Sequence, residues 1–95
     1  MKKFNYQNFL DQMMVDSDFA KEYETLRPKY EAISLVIKNR LKKKMTQKDL
    51  ADRIGTKQAN ISRFENGQIN PSLEFLAKLA QAMDMKVDIK FKLNQ

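Results

Sequence analysis

The chain has 95 residues, a formal net charge of +6, and neither histidine nor cysteine. That length suits one small domain with at most a short appendage, and the missing side chains remove the usual zinc ligands, thiol nucleophiles, imidazole bases and disulfide frameworks. No apolar run is long enough to span a bilayer and no apolar stretch follows the basic N-terminus, so no membrane segment or signal peptide is expected, and a cytoplasmic, non-enzymatic binding protein is the leading class.

Charge is unevenly placed. Residues 1–31 carry a net −1 and residues 32–95 carry +7. Such asymmetry fits two partners, one of them polyanionic, although a solvated lysine face gives the same arithmetic.

With only two glycines and two prolines, the chain reads as mostly helical with short turns. Tyr6, Phe9, Leu10, Met13 and Met14 have helical spacing and predict a short first helix. Asp16-Ser17-Asp18 then starts a second one, with its acids at the favourable end of the helix dipole. Phe19, Tyr23, Leu26, Tyr30, Ile33 and Ile37 keep to one face. That stripe is core by default, yet its upper half is equally suited to a partner. Pro28 interrupts it, and a break near Arg27-Pro28 is expected, with a further helix reaching Lys43 or Lys44.

Thr46-Gln47-Lys48-Asp49 has the form of a capping box, with Met45 and Leu50 placed as its hydrophobic staple. The helix it opens runs through Ile54 and stops at Gly55. Gln58 to Glu65 form the next helix, ended by Asn66-Gly67, and Asn70-Pro71 predicts the cap of another with the stripe Leu73, Leu76, Leu79, Ala80, Met83. Asp49, Asp52 and Glu65 sit beside Lys48, Arg53 and Arg63, which favours caps and surface ion pairs over catalysis. Val87, Ile89, Phe91 and Leu93 then alternate with Lys86, Asp88, Lys90 and Lys92. This is the pattern of a half-buried strand. No second strand is predicted, so the segment either pairs with a second copy or is a frayed tail.

Two short helices joined through one glycine describe a helix-turn-helix. Ala51 is small enough for a close crossing and Ile61 points inward. Gln58, Ala59, Ser62 and Arg63 then share the outward side near the helix start, with Lys57 at the tip. Gln and Arg can grip adenine and guanine bidentately, and Ala can touch a thymine methyl, so these side chains suit a major groove.

The stretch Thr46 to Gly67, with its TQxxLA, IGTxQxxIS and ENG elements, resembles the Xre family of Cro and lambda-repressor-like DNA-binding proteins over roughly residues 32–84. The resemblance implies base reading by Lys57, Gln58, Ala59, Asn60, Ser62 and Arg63, and phosphate contacts from Gln47 and Asn66, and Thr46, Arg40 and Lys44 are expected to join them as phosphate contacts. Lys42-Lys43-Lys44 is otherwise an ordinary solvated helix end. Where the family places glycine, this chain has Lys44 and Asp84, which puts local stability in question. The acidic, aromatic segment Asp16–Glu24 and the lone terminal strand resemble HigA-class antitoxins, and the strand is also similar to that of HipB-type ones.

The expected architecture is therefore an all-α, five- or six-helix lambda-repressor-like domain with one C-terminal β-strand pairing across a dimer. It divides into a helical region 1–31, a helix-turn-helix domain 32–84 and a dimerisation strand 85–95. The expected function is a DNA-binding antitoxin that represses its own operon at a near-palindromic operator and neutralises a RelE/HigB-like ribonuclease toxin through Phe9, Met13, Phe19 and Tyr23. No metal, cofactor or catalytic residue is expected. A free-standing repressor and a toxin inhibitor with vestigial DNA binding are the alternatives.

Overall fold

The computed structural model describes residues 7–8 and 17–93. Four helices are bounded within them: α1 (Ser17–Lys42), α2 (Gln47–Ile54), α3 (Gln58–Glu65) and α4 (Leu73–Ala82). Gln7 and Asn8 are helical as well, while the rest of the expected first helix, with Phe9 and Met13, lies outside the described residues.

The expected break at Arg27-Pro28 does not occur. α1 runs unbroken through Pro28 for 26 residues, about 39 Å at the usual rise. An interior proline forgoes one backbone bond. Here the two sides are joined by side chains that span it. Tyr23 and Tyr30 stack with centroids 6.0 Å apart and planes at 1°, and Arg27 pairs with Glu31 at 3.7 Å. The boundary expected at residue 31 thus falls inside one continuous helix.

The core gathers Ile33 and Val36 of α1, Met45, Leu50 and Ala51, Ile61 and Phe64 of α3, and Leu79 and Met83. α2 packs chiefly on α3, while α4 lies against α2 and α1. Ala51 is almost fully buried, as a close crossing requires. Phe75 meets Phe64 edge-on at 5.7 Å. It takes the inward place that the stripe gave to Leu73, which is instead 63% exposed on the opening turn of α4. Leu26 also faces outward.

All four helices end alike. At Lys44, Gly55, Gly67 and Asp84 the backbone turns left-handed, with φ of 56°, 73°, 74° and 58°. The following N–H then reaches back to a carbonyl of the last turn, as in Met45 N–H to Arg40 O (2.9 Å) and Met85 N–H to Ala80 O (2.8 Å). Lys44 and Asp84 occupy glycine conformations without being glycine, each at a cost on the order of 1 kcal/mol. Lys43 and Asp84 join these two corners through an ion pair of 3.0 Å.

The capping box forms as expected. Asp49 N–H donates to Thr46 Oγ1 and Thr46 N–H donates to Asp49 Oδ2, both at 2.9 Å. At α4 the cap is Ser72, whose Oγ accepts from Phe75 N–H at 3.0 Å, and not Asn70. The Asn70 carboxamide oxygen is already taken by Lys29. Among the described residues there is no strand. A ladder needs a neighbour to supply donors and acceptors, so residues 85–93 of a single chain cannot form one alone.

Candidate nucleic-acid interface

α2 and α3 form the helix-turn-helix. Gly55 ends α2 in the left-handed region, and Thr56 N–H closes onto Ala51 O at 2.9 Å. Lys57 opens α3 without a side-chain cap. Thr56 instead accepts from Asn60 Nδ2 at 2.8 Å, which draws Asn60 partly inward.

Burial of Ile61 and Phe64 fixes the rotation of α3. Lys57, Gln58, Ala59 and Arg63 are consequently exposed on its outer side. Arg63 Nη1 leans on Asn60 Oδ1 at 3.3 Å, and Ser62 is half-buried with its Oγ accepting from Asn66 Nδ2 at 3.4 Å. The sequence-derived base-reading residues thus separate into an exposed set of four and an inner pair, Asn60 and Ser62, that is already hydrogen-bonded.

Two charged residues depart from expectation. Arg40 is 7% exposed and Glu65 4%. Arg40 Nε donates to Glu65 Oε2 at 2.8 Å, Nη2 to Glu65 Oε1 at 3.0 Å, and Nη1 to Met45 O at 2.9 Å. This bidentate geometry satisfies the guanidinium internally, so Arg40 is not the phosphate contact expected of it and Glu65 is not a surface partner of Arg63. Among the described residues no buried side-chain polar atom lacks a partner.

The pair has a third member. Gln47 Nε2 donates to Glu65 Oε1 at 3.0 Å. One carboxylate therefore receives both an interior cation and the amide of a half-buried residue at the α2 N-terminus. That amide keeps its second N–H for another acceptor. Thr46 and Lys44 are exposed beside it. Asp49 is an acceptor for the Thr46 backbone N–H and then for its hydroxyl, which hold its carboxyl below the ordinary value of 3.8. Lys48 and Asp52 make a surface pair at 3.0 Å.

The partner-binding set fares differently. Tyr23 is 5% exposed and stacked on Tyr30, so it is a packing residue and not an exposed partner contact. Its place seven residues before Tyr30 and ten before Ile33 puts it on the buried stripe. Phe19 is described only as a helical position of α1. Val87 and Ile89 are exposed, Phe91 and Leu93 almost completely.

Reading the sequence missed Glu65 and Lys29. The signal for Glu65 was there: it stands four residues after Ile61 on the inward face, where a carboxylate needs a cation, and Arg40 continues the Ile33–Ile37 stripe. Lys29 had none, because its partners Gly67 and Asn70 are 38 and 41 residues away.

The family model for the helix-turn-helix matches residues 36–90. The chain is 36% identical over 61 residues to multiprotein-bridging factor 1c of Arabidopsis thaliana, a match covering 64% of this chain and 41% of that protein. It is 39% identical over 49 residues to an uncharacterized HTH-type transcriptional regulator of Archaeoglobus fulgidus, covering 52% of this chain and 69% of that one. It is 43% identical over 44 residues to antitoxin HipB of Escherichia coli, covering 46% and 47% of the two chains. The chain thus spans less than half the length of the bridging factor and of the antitoxin. No solved structure matches it.

Proposed function

The chain belongs to the helix-turn-helix family, and from that premise we propose that it is a sequence-specific DNA-binding antitoxin that represses its own operon and neutralises a cognate toxin, a ribonuclease of the RelE/HigB kind. The observation that carries the DNA half is the exposed set Lys57, Gln58, Ala59 and Arg63 on the outer side of α3. Two cations there meet phosphate or guanine, while Gln58 and Ala59 meet adenine and a thymine methyl. Gln47, Thr46, Lys44 and Asn66 hold the phosphates around it. Residues 85–93 pair with the same segment of a second copy, placing two α3 helices roughly 34 Å apart on a near-palindromic operator.

The likeness to antitoxin HipB supports the toxin partner. Arg63→Ala tests the DNA half. It should cost about 1–3 kcal/mol on the operator in a gel-shift titration and relax selectivity at one base pair. Unchanged affinity removes Arg63 from the interface. Deleting residues 1–28 tests the toxin half, with loss of protection and intact DNA binding as the expected result.

A second reading is a free-standing transcriptional regulator without a toxin. The burial of Tyr23 favours it, since the acidic helix then serves packing, as does the likeness to an HTH-type transcriptional regulator. Under this reading the same deletion unfolds the protein.

A further inference from the structure

The matched family unit begins at residue 36, yet α1 begins nineteen residues earlier, at Ser17, and its middle reaches the loop that follows α3. Lys29 Nζ donates to Gly67 O at 3.1 Å and to Asn70 Oδ1 at 3.0 Å, and lies 5.9 Å from the Tyr30 ring centroid. A Cβ at Gly67 would stand 3.8 Å from Tyr30 Cε1 and 3.9 Å from Ile33 Cδ1, so the loop rests on these side chains. Residues 66–72 connect α3 to α4. Within that connection Gly67 is left-handed and its carbonyl is the acceptor that Lys29 takes.

We infer that Lys29 and Tyr30 are positioning residues for the DNA-facing loop 66–70, acting through it on Asn66. The ammonium has three N–H groups; two are spent inside the loop, drawing Gly67 and Asn70 onto α1. Tyr30 supplies the floor beneath Gly67. Asn66, adjacent to Gly67, is thereby held with its carboxamide against Ser62 at the C-terminal end of α3. The segment of α1 outside the family unit becomes part of the DNA site without touching DNA. The functional half of this inference rests on the DNA-binding reading; the positioning half does not.

The test uses the full chain in two measurements. Amide hydrogen exchange without DNA reads the loop directly. Lys29→Met should speed exchange at Gly67 and Gln68 by about tenfold or more while Leu50 and Ile54 keep their protection. Asn70→Ala, which leaves α1 intact, should give a smaller change of the same sign and guards against global loss of structure in the first variant. Unchanged exchange in both variants overturns the inference.

Binding is then measured to a duplex selected from a random DNA pool by the unsubstituted protein. Lys29→Met should weaken it by roughly five- to tenfold, yet by less than about twofold when Asn66→Ala is already present, because the two act through one loop. Losses that multiply, or a salt slope lowered by about one phosphate in Lys29→Met alone, would show Lys29 touching DNA itself and overturn the positioning role. If the unsubstituted protein selects no duplex, the DNA-binding reading falls, and the exchange measurement alone decides the loop.

Discussion

Removing one partner of the Arg40–Glu65 pair strands a charge in an interior where both side chains are more than nine-tenths buried. Arg40→Met should therefore destabilise the protein by about 3–5 kcal/mol in urea denaturation, whereas Arg40→Met with Glu65→Leu should recover most of that loss. Glu65 is legible in the sequence only to a reader who follows the inward face of α3 past Phe64. Arg40 is read wrongly when charge is equated with exposure, because its stem lies along the α1 stripe. Asp49 shows the opposite case, where a local rule suffices. Its carboxyl is lowered from 3.8 in the fold by the Thr46 N–H and hydroxyl. The stabilisation it brings is thus complete above that value and fades as pH falls through the lower folded one. Asp49→Asn should flatten the acid limb of the stability profile below about pH 4, read by urea melts across pH, while the limb above it stays as in the parent.

Helix ends are where local sequence and tertiary demand compete. The capping box of α2 and the glycine stop at Gly55 follow from four neighbouring residues, so both were legible. The α4 cap was not. Asn70-Pro71 is as good a local signal as Ser72, and what decides between them is Lys29 arriving from 41 residues away. The continuity of α1 through Pro28 was not legible either, because a proline reads locally as a break, while Tyr23 stacks on Tyr30 and Arg27 pairs with Glu31 across it. The two non-glycine corners give a graded prediction. Lys44→Gly should stabilise by about 0.5–1 kcal/mol in thermal or urea melts, the relief of a left-handed β-carbon less the extra freedom glycine has when unfolded. Asp84→Gly should gain less, because aspartate tolerates that region better and the substitution also removes the 3.0 Å pair with Lys43.

For the whole molecule, the helix-turn-helix and its core were legible because contiguous periodicity sets them. The conformation of residues 85–93 was not, because an alternating pattern does not itself supply a neighbour to pair with. Under the proposed pairing of residues 85–93, the unsubstituted protein should be dimeric by light scattering and Val87→Lys with Ile89→Lys should yield monomers with weaker operator binding; a variant that remains dimeric locates the interface elsewhere. The long-range ties that organise the single chain are few, and the Arg40–Glu65 pair, spanning 25 residues between α1 and α3, is the most deeply buried of the ion pairs among the described residues. It also has a consequence for descent. Neither codon can drift alone without passing through an intermediate expected to be several kcal/mol poorer, so the two positions are expected to change together. Lineages that give up the arginine are expected to give up the glutamate with it.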